Sequence, residues 1–144
     1  MGMKIIPREV GKVITNSRSI RELRRKISLT ETQKYFVVGT VLGDGCLAPN
    51  SWGKNFRLKI EHCVKQKDYL FWKYNLLKNF SISNPKYYHQ NKSWSFRTIS
   101  HPDFTQLAGI FYDEKRKKRV VESLQMYIQH PLVLAVWYIW MTDV

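Results

Sequence analysis

Acid is what this chain is short of. Eleven Asp and Glu stand against 24 Lys and Arg in 144 residues, a net charge of +13 and a sequence pI of about 9.9. A chain this basic expects a polyanion, and nucleic acid is the first candidate. Sulfur is sparse as well. Two cysteines, Cys46 and Cys63, make no disulfide framework and have no zinc-ligand spacing, so reduced thiols in a reducing compartment are expected. Long apolar runs are missing, which excludes a transmembrane span. No basic amphipathic helix of the interfacial type stands out, so no membrane partner is expected. The first residues lack the apolar core of a signal peptide. Alanine is scarce while Lys, Ile, Asn, Tyr and Phe abound. That bias fits AT-rich coding and points to an organelle, mitochondrion ahead of chloroplast. Aromatic residues, at 14%, are plentiful enough to fill the core of one domain.

One stretch organises the rest. Thr30 to Gly45 has a helix start signal, a close-packing face and an acidic tip. Thr30 and Gln33 have the spacing of a capping box. Gly39 and Gly43 lie four apart and share a face, which lets a second helix come close. Gly45 is expected to stop the helix, leaving Asp44 at the end of the packed face. The same spacing also fits a core helix with incidental glycines. If two such helices pair, their terminal carboxylates meet and can share divalent metal ions.

Residues 1–29 read as a basic arm carrying Arg24 and Arg25, with a short helix over 19–26 whose apolar side is Ile20 and Leu23. Such an arm either lies on phosphates or is a solvated tail. After Asp44 comes a hairpin with a turn-rich tip near Lys54. Its return strand, Phe56 to His62, alternates Leu58 and Ile60 with Arg57, Lys59 and Glu61. A helix over 66–80 follows, with an apolar stripe of Tyr69, Leu70, Trp72, Leu76, Leu77 and Phe80. A second hairpin spans Lys86–His89 and Trp94–Ile99, with Trp94, Phe96 and Thr98 on one face and Ser95 and Arg97 on the other. Ser100 is placed as the cap of the next helix and Pro102 in its first turn. Phe104, Leu107, Ala108 and Phe111 form that helix's buried side. A block of five cations, Lys115, Arg116, Lys117, Lys118 and Arg119, suits phosphate contact. A short helix over 120–128 and a last, very apolar helix from Leu132 complete the order. Helix, hairpin, helix, hairpin and two helices make an α+β domain, a four-stranded antiparallel sheet with helices on one face. Its free face would carry Arg57, Lys59, Lys86 and Arg97. A two-stranded ribbon fits the major groove of B-DNA, and the same face can lie on structured RNA.

Val37-Val38-Gly39-Thr40-Val41-Leu42-Gly43-Asp44-Gly45 resembles the LAGLIDADG motif of homing endonucleases and intron maturases. Stretches at 57–62, 65–70 and 94–104 are also similar to the two-motif branch of that family, so the resemblance covers roughly residues 30–139. It implies one domain over 30–130 and a truncated second-motif helix over 131–144. It also implies Mg²⁺-dependent cleavage of double-stranded DNA, with Asp44 as the first motif's metal-binding acid. Lys117, or alternatively Lys118, matches a basic residue that assists in some members.

The resemblance breaks at the second motif. Leu134-Ala135-Val136-Trp137-Tyr138 fits a pattern that continues Met-Asp-Asp-Gly, but Ile139-Trp140-Met141-Thr142 follows instead. Asp143 lies two positions past the expected acid, about 200° around a helix. The expected protein is therefore a cleavage-deficient binder of structured RNA, ribosomal or intronic, and a monomer that could sit on the ribosome. The alternative is an active, Mg²⁺-dependent homodimer on duplex DNA, pairing through Gly39 and Gly43. Tyr138 to Val144 can be encoded by TAT-ATA-TGG-ATG-ACG-GAT-GTN. Loss of one TA restores Tyr-Met-Asp-Asp-Gly-Cys. A two-nucleotide slip in an ancestral two-domain gene would account for the break, and sequencing the gene tests it: Ile139 must be coded ATA, with a second domain in the downstream frame.

Overall fold

The computed structural model describes residues 18–49, 54–112 and 124–142. Residues 1–17 of the expected arm and the whole cationic block at 115–119 lie outside them. No helix among the described residues is long and apolar enough to cross a membrane.

The first helix, α1 (Arg18–Lys26), is no free lead-in. Ile20 and Leu23 are buried, as is Leu29 after it. Five hydrogen bonds fasten the segment. Arg24 Nε donates to the Ser100 carbonyl at 2.7 Å, and its Nη2 to Ser100 Oγ at 3.1 Å. The buried His101 donates from Nε2 to the carbonyls of Ile27 (2.8 Å) and Arg24 (3.1 Å). Leu29 N–H donates to Asp103 Oδ2 at 2.9 Å. Residues 18–29 therefore belong to the folded unit.

Helix α2 (Glu31–Leu42) starts with the expected capping box: Gln33 N–H donates to Thr30 Oγ1 at 3.1 Å, and Thr30 N–H to Gln33 Oε1 at 3.0 Å. Its end differs from expectation. Gly43 is the cap, with its N–H on the Thr40 carbonyl, and Gly45 N–H returns to the same oxygen at 2.8 Å. Gly45 is needed for space: a Cβ there would meet Thr40 Cγ2 at 2.6 Å. The chain folds back over Thr40, and Asp44 is presented at the turn.

The sheet runs β1–β2–β4–β3, all antiparallel, from β1 (Cys46–Pro49), β2 (Phe56–Cys63), β3 (Lys86–Tyr88) and β4 (Ser93–Arg97). Leu58, Ile60 and Phe96 point to the helices and are buried. The tight β3–β4 turn puts Lys92 at φ 49°.

The expected long helix over 66–80 is three pieces: a 3₁₀ turn (Val64–Gln66), α3 (Lys67–Leu76) and a second 3₁₀ turn (Lys78–Phe80). Gln33 Nε2 takes the Leu76 carbonyl at 2.9 Å, so Phe80 N–H bonds Leu77 O instead and the last turn tightens. The buried face of α3 is also rotated from the expected stripe. Leu70 and Leu77 are fully buried, but so is Lys73, while Trp72 is 43% exposed.

Helix α4 (Pro102–Phe111) is capped by His101 rather than Ser100, because Ser100 is engaged by Arg24 and His101 Nδ1 accepts from Asp103 N–H at 3.0 Å. Phe104, Leu107, Ala108 and Phe111 form its buried side as expected. After the short α5 (Gln125–Ile128), α6 (Pro131–Thr142) lies against α2. The approach is close at Gly39, where a Cβ would stand 2.9 Å from the Val133 carbonyl and 3.0 Å from Val136 Cβ. Val133 and Val136 are buried there, whereas Tyr138 is 62% exposed.

Substituting Gly39 by Ala should destabilise the fold by about 1–3 kcal/mol, because an overpacked contact with a backbone carbonyl exceeds the helix-propensity gain of about 1 kcal/mol. Gly109, mid-helix in α4 with nothing within 4 Å of an added Cβ, is the control: Gly109→Ala should stabilise by about 0.5–1 kcal/mol. Urea titrations of the two variants against wild type check both signs.

Candidate active site and nucleic-acid interface

Asp44 sits where the glycine turn projects it. Its carboxylate meets two side chains that face inward from neighbouring elements. His62 Nδ1, from β2, is 2.9 Å from Asp44 Oδ2, and Lys73 Nζ, from α3, is 3.4 Å from Asp44 Oδ1. His62 lies on the inward parity of β2, after Leu58 and Ile60. Its Nδ1 also lies 2.9 Å from Gln66 Oε1; both partners are oxygens, so Nδ1 carries the proton. The Lys73 ammonium is wholly buried and stands 4.3 Å from the centre of the Tyr69 ring, where the aromatic face adds attraction.

The electrostatics follow from this cage. Burial pushes the Asp44 carboxyl up, but the His62 hydrogen bond and the Lys73 charge outweigh it, and the net shift is downward. Burial pushes Lys73 down, and Asp44 offsets part of that. The result is an ionised, internally compensated carboxylate. Neither His62 nor Lys73 was singled out in the sequence. Their signals were a histidine continuing the apolar alternation of β2 and a lysine inside an apolar helical stripe.

Mg²⁺ holds near-octahedral geometry, keeps several waters and takes one or two carboxylates. Among the described residues no group of three His, Cys, Asp or Glu could hold a metal ion. Asp44 offers one carboxylate, already bound on both oxygens, so the described residues do not make a complete Mg²⁺ site.

The open face of the sheet is the second candidate surface. The outward parity places Arg57 and Lys59 on β2, Arg97 on β4 and Lys86 on β3, all exposed or half-buried. Lys59 pairs directly across from Arg97, and Arg57 pairs with Ala48. Burial and the Arg97 charge lower the Arg57 guanidinium from its ordinary value. Lys54 is exposed just before β2. Of the two arm residues, Arg25 is exposed on α1, whereas Arg24 is taken up by Ser100, which corrects its reading as a free phosphate contact. Gly39 lines the helix contact as expected, and Gly43 serves as cap.

Residues 34–142 match the model of the LAGLIDADG DNA endonuclease family. The chain belongs to that family. It is 31% identical over 128 residues to DNA endonuclease I-ChuI of Chlamydomonas applanata, a match covering 78% of this chain and 58% of that protein. A protein RecA of Mycolicibacterium chitae is 33% identical over 133 residues, 90% of this chain but 30% of the relative. The structure of the homing endonuclease I-WcaI bound to its DNA recognition sequence superposes with a TM-score of 0.74 at 25% identity, covering 85% of this chain and 57% of that one. The LAGLIDADG chain described here thus spans less than two thirds of these relatives. Members of the family are generally divalent-metal dependent, and Asp44 lies in the turn that follows the cap of α2. A homodimer formed through Gly39 would have to displace α6, which covers that face in cis.

Asp44→Asn should cost on the order of 3 kcal/mol at neutral pH, because it strands a fully buried ammonium. Lys73→Met should cost less, since Asp44 keeps 20% of its side chain in contact with solvent. The double variant should lose less than the sum. The pH dependence has a definite sign. Lys73 is lowered, so the unfolded chain binds its proton more tightly and wild-type stability rises with pH just below 10.5. Asp44 is lowered, so its contribution is lost in acid as pH falls through its folded value, below 3.8. Urea titrations across pH check both limbs, and Asp44→Asn should flatten the acid one.

Proposed function

We propose that this chain is a nucleic-acid-binding member of the LAGLIDADG family that grips duplex DNA through the open sheet face and does not cut as a single copy. The carrying observation is Lys59 directly opposite Arg97, with Arg57 beside them. Like charges across a strand pair are destabilising, and a fold that keeps them there holds a surface whose repulsion a phosphate backbone relieves. Charge alone favours duplex DNA and structured RNA equally. The shared fold with a protein solved on its DNA recognition sequence supports duplex DNA, reversing the order expected from the sequence. Cleavage as a single copy is disfavoured by one caged carboxylate, and a homodimer by α6 in the place of a second motif helix. The monomer is the reading that fits both.

Fluorescence anisotropy over a salt series tests this. Wild type should bind duplex DNA with log K falling linearly with log salt, and Lys59→Ala or Arg97→Ala should each reduce the slope by about one. Supercoiled plasmid should stay uncut with Mg²⁺. Tighter binding to folded RNA than to duplex would restore the RNA reading. Slopes unchanged by both substitutions would remove the sheet face from binding, and Asp44-dependent nicking by a dimer would establish the active enzyme.

A further inference from the structure

One carboxylate stands on the cationic face, and its placement is not explained by phosphate binding. Among the described residues the outward positions of the four strands carry Arg57, Lys59, Lys86 and Arg97 and a single acid, Glu61. Glu61 is exposed and pairs across from Ser95, with Lys86 opposite Ser95 on the far side. It makes no ion pair with any described residue, although Lys59 lies two positions earlier on the same strand face and Arg97 sits diagonally across. Its one hydrogen bond is short: Ser93 Oγ donates to Oε2 at 2.7 Å. Ser93 is itself buried, 4% exposed, at the last β2–β4 pair opposite Cys63. A buried hydroxyl therefore fixes the carboxylate in one orientation and leaves Oε1 open as an acceptor.

A carboxylate on such a face repels phosphate and weakens backbone contact. Its chemistry suits one feature of a duplex edge, an exocyclic amino group. In the major groove an acidic side chain accepts from the N4 amino group of cytosine, while Arg pairs bidentately with guanine. From this geometry we propose that Glu61 is a base-reading residue for cytosine and that Ser93 is its positioning residue. The proposal rests on the duplex-DNA reading above and deepens it: Arg57, Lys59, Lys86 and Arg97 hold the backbone or guanine, and Glu61 supplies the one carboxylate among the described residues of the face. The hydrogen bond from Ser93 sets which base pair it meets.

The test is selection of bound sequences from a randomised duplex DNA library by wild type, Glu61→Gln, Glu61→Ala and Ser93→Ala, with a salt series on the selected duplex. Wild type should enrich cytosine at one position by on the order of ten-fold. Glu61→Ala should lose that enrichment while binding unselected duplex more tightly. Glu61→Gln should shift the same position towards adenine, which a Gln amide reads bidentately. Ser93→Ala should weaken the enrichment and leave the salt slope unchanged, which a purely structural loss would not do. The exposed position of Glu61 keeps its variants folded, and far-UV circular dichroism checks this. Unchanged base preference in both Glu61 variants would overturn this proposal and leave duplex binding standing. Failure of wild type to bind any duplex would overturn both.

Discussion

The close approach of α6 to α2 is the contact on which the rest of the domain depends. Gly39 permits it: a Cβ there would stand only 2.9 Å from the Val133 carbonyl, closer than packed atoms settle. A glycine inside a helix costs about 1 kcal/mol of helix propensity, and the return is a backbone-to-backbone seam that fixes α2 in the centre of the molecule. The sheet then packs its inward rows, Leu58, Ile60 and Phe96, beneath the helical layer. Because α2 is held, its last turn is held, and the fold-back of Gly45 over Thr40 aims Asp44 at one place.

Two kinds of electrostatics meet in this chain. At the tip of α2, charge is balanced inside the protein: the Asp44 carboxylate takes a hydrogen bond from His62 and the charge of Lys73 in a low-dielectric pocket. On the sheet face, charge is left unbalanced: Lys59, Arg97 and Arg57 crowd one another on a solvent-facing surface. The first arrangement holds a group still. The second seeks an outside partner.

The sequence made the architecture legible where periodicity was strong. The alternation in β2 and β4, the capping box at Thr30 and Gln33 and the buried side of α4 all follow from short-range pattern, and the cationic face follows from strand parity. What escaped was set by partners distant in sequence. Lys73 goes unassigned in the sequence because nothing local reveals that Asp44, 29 positions earlier, will neutralise it. Arg24 looked like a free cation because its acceptor, Ser100, is 76 positions away. The long helix expected over 66–80 fails for the same reason, since Gln33 reaches across to take its Leu76 carbonyl. Composition announces the sign of a charge but not whether the fold will spend it internally.

His101 has a consequence for where this domain begins. It caps α4 with one ring nitrogen and holds the end of α1 with the other, while its ring packs edge-on against Phe80. The segment before the motif helix is thus wired into the centre of the protein by a residue far downstream. A boundary drawn at the motif, or at residue 34 where the match to the family's model begins, would cut inside the folded unit and bare the Ile20 and Leu23 contact surface. A family model marks the part of a chain that every lineage shares; the unit that folds together is larger, and here it reaches back at least to residue 18.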